Sequence, residues 1–426
     1  MHFDVVVVGG GAGGLELASR LGRKLGSRHG REKVLLVDRS AFHIWKPTLH
    51  EVAAGTLDVH QEGLSYMVLA RRNHFSFAMG DLATLDAERR SLALSEIRDA
   101  DGQVVVPART LSFTWLVLAL GSGSNSFGTP GIEHAYLLEN VRDAQHFHTD
   151  WLNACARAAF SPARVLGVAI VGGGATGVEL SAELIEAHAE MLGSLGREQH
   201  FRLDITLVEG GPRILGGLPE KISDQARLAL ERKQVRVRTG TRVTQISRAA
   251  LHTPEGEIAA DLIVWAAGIK AAEANARLGL AVNALNQFVV NERLETSSPH
   301  ILALGDCAAC PWQEGKLVPA RAQAAHQQAD YLTQVLAARL EEREVAQPFV
   351  YRDFGSLVSL GDNKGVGNLM GGLMGRNFFV EGLIAKWMYM SLHLMHHRAI
   401  LGMGKTAVLA LARLLQQRVS GRLKLH

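Results

Sequence analysis

Cysteine is scarce: the 426 residues hold three, none before Cys155. A disulfide framework is therefore excluded, and a reducing compartment is expected. No run of about 18 uncharged apolar residues exists to span a bilayer, so no transmembrane helix is expected. A secretory leader is not expected either, because Asp4 precedes the short apolar run Val5–Val8 and glycines follow it. Charge of one sign is also lacking. Forty-five basic residues face 42 acidic ones, and a net charge of +3 gives no reason to invoke nucleic acid. The balance fails only at the C-terminus, where seven Lys or Arg and no Asp or Glu follow Glu381.

What is present fits a folded chain of two or three domains: 47% hydrophobic and 20% charged residues exclude disorder. Forty-four glycines exceed the usual share of roughly 7% and ask for a backbone reason. A repeat supplies it. Val5–Gly14 (VVVVGGGAGG) returns as Val168–Gly177 (VAIVGGGATG). Each copy is a β-branched run, a glycine cluster and a helical stretch, Leu15–Leu25 and Val178–Met191. Each leads to a second strand ending in an acid, Val34–Asp38 and Ile205–Glu209. Alternating segments then close on the apolar strands Trp115–Leu120 and Leu262–Ala266. Two doubly wound α/β domains of one design are expected, both Rossmann-like. The second copy lies inside the first, because His300–Leu304 and the helical stretch Ala320–Leu340 carry no fresh glycine fingerprint.

In Gly9-x-Gly11-x-x-Gly14, the first glycine permits the tight turn, the second lets a pyrophosphate approach, and the third lets helix and strand pack closely. The helix start adds free N–H groups for the phosphates. Asp38 is placed to accept ribose hydroxyls. Gly172, Gly174 and Gly177 with Glu209 repeat every element. Glu209 would repel a 2′-phosphate, which favours NADH over NADPH, and the nearby Arg213 tempers that preference. Two sites suggest two dinucleotides, a flavin and a nicotinamide, between which a hydride can pass. Gly305 and Asp306 at a strand end would hold the flavin's ribityl chain, with Pro319 an early residue of the next helix.

Residues 1–154 hold no cysteine, so a disulfide reductase, which needs a pair soon after the first fingerprint, is excluded. Cys307-x-x-Cys310 is read as structural, and Cys155 with Cys307 is a poor pair for a sulfide-oxidising flavoprotein. His393, His396 and His397 have no carboxylate close in sequence and are read as an interfacial helix face, with no metal.

The combined segments Val7–Glu16, Phe42–Leu57, Ala119–Asn125, Ile170–Leu184, Leu262–Lys270, Ala303–Cys310 and Pro319–Gln327 resemble the bacterial type II NADH dehydrogenases, and the resemblance covers the whole chain. It implies a glutathione-reductase-like flavoprotein that passes hydride from NADH to FAD and then reduces a membrane quinone without pumping protons. A sulfide:quinone-type flavoprotein or a membrane-bound redox sensor is the alternative. The implied FAD-binding domain is 1–160 with 286–345, the NADH-binding domain 161–285, and the membrane-anchoring and dimerisation region 346–426. Lys46 and Pro47 match the segment against the flavin ring, and Gly121, Gly268 and Ala322 fall in further cofactor-binding segments. The catalytic set implied is Glu179, Gln323, Gln327 and Lys386. Glu179 is alternatively a first-turn acid facing the helix dipole, and Gln323 and Gln327 share a helix face.

The resemblance also implies a homodimer. In the tail, Ile384, Trp387, Met388, Leu392 and Met395 recur at helical spacing, as do Ala407, Val408, Leu411, Leu414 and Leu415. Basic residues of one sign around these stripes suit an anionic lipid surface. Peripheral attachment to the cytoplasmic face of the bacterial inner membrane is expected.

Overall fold

The four valines of β1 (His2–Val8) are buried, as a strand covered on both sheet faces requires. The computed structural model describes residues 1–99, 101–345, 347–361, 365–370, 377–381 and 383–419, without the side chains of 365–370, 377–390, 392, 413–414 and 416–419.

After β1 the chain enters α1 (Ala12–Lys33), then β2 (Val34–Asp38), β3 (Ser76–Met79), β4 (Leu82–Asp86), β5 (Ser91–Leu94) and β6 (Arg109–Leu118). Their order across the first sheet is β3-β2-β1-β6-β5-β4. The last 3 residues of β6 pair instead with β12 (Ile301–Ala303), which returns from far along the chain. The helix on the same face, α3 (Ala322–Arg339), packs against α1. A Cβ on Gly13 would stand 3.1 Å from the Ala325 carbonyl, so glycine and a small alanine are what let the two helices meet.

The second sheet runs β7 (Tyr136–Leu137), β11 (Leu262–Trp265), β8 (Val165–Val171), β9 (Arg202–Val208) and β10 (Arg236–Arg238), all parallel, with α2 (Ala175–Ser194) after β8. The repeat is visible in the pairing. β1 lies between β2 and β6 as β8 lies between β9 and β11.

The sheets divide the chain differently from the expected boundaries at 160 and 286. Tyr136 already pairs in the second sheet, and the helix Val141–Phe160 buries Phe147 and Trp151 in the second core. Ala271, Leu278 and Leu280 have already rejoined the first core. Boundaries follow which core an apolar face fills, and glycine motifs do not report that.

The C-terminal region is not purely helical. β13 (Gly355–Ser359), β14 (Gly365–Met370) and β15 (Asn377–Glu381) form an antiparallel sheet in this glycine-rich part of the chain. Helices α4 (Leu383–Leu401) and α5 (Met403–Val419) follow. Val358 and Leu360 pack in the second core, Ile400 and Leu401 in the first. This region therefore ties both cores together. Pro319 stands outside α3, which begins at Ala322 after the extended Arg321.

Candidate functional site

The two glycine turns are built alike. Gly9 (φ +104°) and Gly172 (φ +111°) take a left-handed backbone, and their N–H groups reach Val37 and Val208 carbonyls at 2.8 Å. A Cβ on Gly14 would stand 1.9 Å from the Gly9 carbonyl oxygen, and one on Gly177 would stand 2.0 Å from that of Gly172. At Gly11 and Gly174 a Cβ would meet nothing within 4 Å. Those two positions are the open cradles that a pyrophosphate needs, at the starts of α1 and α2.

Each cradle carries its acid on backbone N–H groups. Asp38 accepts from Gly10 at 2.6 Å and Ser40 at 2.8 Å. Burial nevertheless raises its pKa. Glu209 accepts from Gly173 and Gly211, both at 2.6 Å. Each carboxylate is locked at the turn with further lone pairs for a ribose diol. The Arg213 guanidinium donates to the Leu218 and Gly216 carbonyls at 2.6 and 2.9 Å, which commits it to its own loop.

Beside the first turn, Lys46 donates to the Ser122 carbonyl, and the Ser122 hydroxyl donates to Asp306 at 2.9 Å. Three distant segments thus meet, since Lys46 and Pro47 form a short 3-10 turn, Ser122 follows Gly121 (φ +70°), and Asp306 follows Gly305 (φ +73°). Gly305 donates its N–H to Gln328 at 2.7 Å. Gln328, buried on α3, is absent from the residues singled out in the sequence; its one signal is an amide at an inward position of an alanine-rich helix. Gly268 (φ +64°) lies at the end of β11, against Phe127.

Gln323 and Gln327 share α3 but not a partner. The Tyr351 hydroxyl donates to the Gln323 side-chain oxygen at 2.7 Å, which leaves the Gln323 amide hydrogens for another acceptor. Both amide functions of Gln327 bond the backbone of Arg352, at 2.8 and 3.0 Å, so Gln327 fastens the segment after α3 to that helix. Ala322 is the first residue of α3.

Glu179 is the fifth residue of α2, and α2 has no acid in its first turn. It is buried, accepts the Ser359 N–H at 2.9 Å, and lies 3.6 Å from His50 Nδ1. Burial above all, with Glu51 and Glu183 nearby, pushes its pKa up to about 8, while burial pushes His50 down to about 4. At neutral pH both are uncharged, so their contact is not an ion pair and the helix-dipole reading of Glu179 fails. Lys386 lies on α4 with its side chain outside the described residues.

Comparisons with known proteins agree with this geometry. The sequence profile of the pyridine nucleotide-disulphide oxidoreductase family matches residues 3–329. A type II NADH:quinone oxidoreductase of Haemophilus influenzae is 40% identical over 99% of this chain and 100% of its own. The chain belongs to the type II NADH:quinone oxidoreductases. Another relative, the demethylphylloquinone reductase of a Synechocystis strain, is 29% identical over 85% of each chain. The fold matches that of the NDH2 of Plasmodium falciparum solved with NADH, at a TM-score of 0.82, 18% identity and full coverage of both chains.

The three thiols of this NADH:quinone oxidoreductase are all held out of reach. Cys155, Cys307 and Cys310 are free and buried, and burial pushes each thiol up to about 12. Cys307 donates weakly to the Leu304 and Leu118 carbonyls. These are packing residues, which also sets aside the sulfide-oxidising reading.

The tail histidines are not an interfacial face. His393, His396 and His397 are buried and face the first domain of the oxidoreductase rather than a lipid interface. His396 Nδ1 lies 2.8 Å from Glu16 on α1, and its Nε2 lies 2.8 Å from His43, whose Nδ1 bonds the Gly10 carbonyl at 3.0 Å. Trp45 packs against His393, with ring centroids 4.6 Å apart. The carboxylate was invisible from the tail because it comes from the first helix. Among the described residues no cluster could hold a metal ion.

Proposed function

We propose that the chain works as a respiratory NADH:quinone oxidoreductase in which FAD lies on the Gly9 turn and NADH on the Gly172 turn. The observation that carries this reading is the duplicated cradle, each copy open at its second glycine and closed by an acid on turn N–H groups. Gly9, Gly11, Gly14 and Asp38 would hold the adenosine half of FAD. Lys46, Pro47, Gly121, Gly305, Asp306 and Ala322 would hold its ribityl and ring portion. Gly172, Gly174, Gly177, Glu209 and Gly268 would hold NADH. When bound, FAD takes a hydride from NADH and passes two electrons to a quinone.

The chain's own groups orient and insulate. Glu209 fixes the NADH ribose. Glu179, neutral in its buried site on α2, presents a polar group without a charge. Gln323, its oxygen engaged by Tyr351, offers amide hydrogens to a quinone carbonyl. Gln327 supports that wall through Arg352.

The tail reaches the lipid that carries the quinone. On α5, Met403, Val408, Leu411 and Leu415 are exposed, and so is Lys405. An apolar face beside basic charge suits peripheral attachment to an anionic leaflet, on the cytoplasmic side where NADH is found. Part of the tail serves a homodimer contact. Among the described residues no helix is long and apolar enough to cross a membrane. The test is the visible spectrum of the purified protein. A flavin spectrum bleached by NADH and restored by a soluble quinone is expected; a colourless protein, or one that quinone does not restore, would refute the reading.

A further inference from the structure

Quinone reduction by NADH consumes a proton: NADH, H⁺ and quinone give NAD⁺ and quinol. The two electrons and one hydrogen nucleus come from NADH, so the other proton comes from solvent, directly or through a group of the protein. Resting on the function proposed above, we propose that His326 is that group and that Glu16 is the residue that positions it.

Glu16 is a carboxylate 1% exposed on α1, and both of its oxygens are occupied. Oε1 faces His396 Nδ1 at 2.8 Å, and Oε2 faces His326 Nδ1 at 2.6 Å and Arg20 Nη2 at 3.0 Å. Hydrogen counting settles who donates. The Gly10 carbonyl can only accept, so His43 Nδ1 carries a hydrogen, and the 2.8 Å contact between His43 Nε2 and His396 Nε2 needs another. His43, whose pKa burial drives well below the usual imidazole range, is neutral, so His396 supplies that second hydrogen. Burial alone would raise the pKa of Glu16, but the hydrogen bonds from His326 and His396 outweigh it and hold the value at about 2. The carboxylate accepts from both rings.

His326 Nδ1 therefore holds its hydrogen on Glu16, and Nε2, which the Arg20 guanidinium approaches to 3.4 Å as it does Nδ1, is the nitrogen left to gain and lose one. A buried carboxylate that fixes an imidazole's tautomer in this way is the usual means of aiming a general acid. The ring is 29% exposed, against 4% for His396, so His326 is the member of the cluster that reaches outward. It stands three residues after Gln323 on α3, next to the amide assigned to the quinone carbonyl. Arg20, paired with Asp330 and Glu16, and Arg23, which interacts with both Arg20 and Glu16, are the cations beside it, and Glu16 and Asp330 are the anions. In the step, the His326 Nε2–H bond breaks with its electron pair left on nitrogen, the quinone O–H bond forms, and solvent reloads the ring.

The test compares the holoenzyme with His326→Asn, whose amide can still bond Glu16 but cannot titrate. NADH should bleach the flavin of the variant at the unmodified rate. Quinone should restore colour on the order of 100-fold more slowly, without the unmodified enzyme's fall in rate as pH rises, and added imidazole should recover part of the loss. Independently of turnover, ¹⁵N NMR of histidine-labelled protein should show hydrogen on Nδ1 of His326 and on both ring nitrogens of His396 at neutral pH. Glu16→Gln should lose the His326 signature, and Glu16→Asp should partly regain it. Unchanged colour recovery in His326→Asn, equal slowing of both half-reactions, or a bare Nδ1 on His326 would overturn the proposal. Failure of quinone to restore colour in the unmodified enzyme would instead overturn the functional reading on which it rests.

Discussion

Glu209 accepts the N–H of Gly173 at 2.6 Å, so the acid of the second cradle is pinned to the turn it closes. Its charge cannot swing away from a 2′-phosphate, and Arg213, engaged with Leu218 and Gly216, offers that phosphate no partner. NADH should outperform NADPH. At close range in a partly screened cleft the repulsion amounts to a few kcal/mol, from about 4 kcal/mol at 4 Å. Glu209→Gln should narrow the ratio of kcat/KM values by tenfold or so. Equal kcat/KM for both cofactors in the unmodified enzyme would remove the assignment.

Tyr351 and Gln323 make a second pair with a consequence. Gln323→Leu removes donors from the quinone and leaves the Tyr351 hydroxyl in search of an acceptor. Losing one such bond costs about 1 kcal/mol, so the quinone KM should rise roughly fivefold. Bleaching by NADH alone, followed by rapid mixing, should be nearly intact. If bleaching slows as much as quinone reduction, Gln323 serves the NADH half-reaction or the fold.

Glu179 sets a pH dependence of stability. Folding raises its pKa from 4.5 to about 8, so its neutral form is the one the fold accommodates. That contribution is complete below the unfolded value and is lost as pH rises through the folded one. The unmodified protein should therefore lose stability relative to Glu179→Gln by about 1.4 kcal/mol per pH unit across that window. Urea midpoints of both proteins, taken near each end of it, measure the change. A constant offset between the two proteins would show that Glu179 ionises in its pocket like an ordinary carboxylate.

The membrane contact proposed for α5 can be removed without opening the core. α4 docks on the first domain through His396, and Arg23 and Asn73 donate to the Ile400 carbonyl. A chain ending at Gly402 keeps those bonds and loses the exposed face of α5. It should retain FAD and reduce soluble quinone analogues but no longer sediment with anionic liposomes. Equal sedimentation of the shortened and full-length proteins at one salt concentration would place the contact elsewhere.

Both glycine turns, their acids and the returning strand β12 were legible in the sequence, because a left-handed turn, a β-branched run and a terminal acid are demands made on neighbours in the chain. Roles that depend on company were not. Gln327 looked equivalent to Gln323 until Arg352 took both of its amide functions. The histidines of α4 looked interfacial until Glu16, 380 positions away from His396, appeared beside them. Glu179 matched a catalytic glutamate or, alternatively, a first-turn acid, and neither reading showed that burial against Ser359 and His50 would make it neutral. Local backbone geometry is set by residues a few positions apart, so a sequence motif determines it. Charge state and hydrogen-bond partners depend on what desolvates a group and what packing brings within 3 Å of it, and only the tertiary structure decides that.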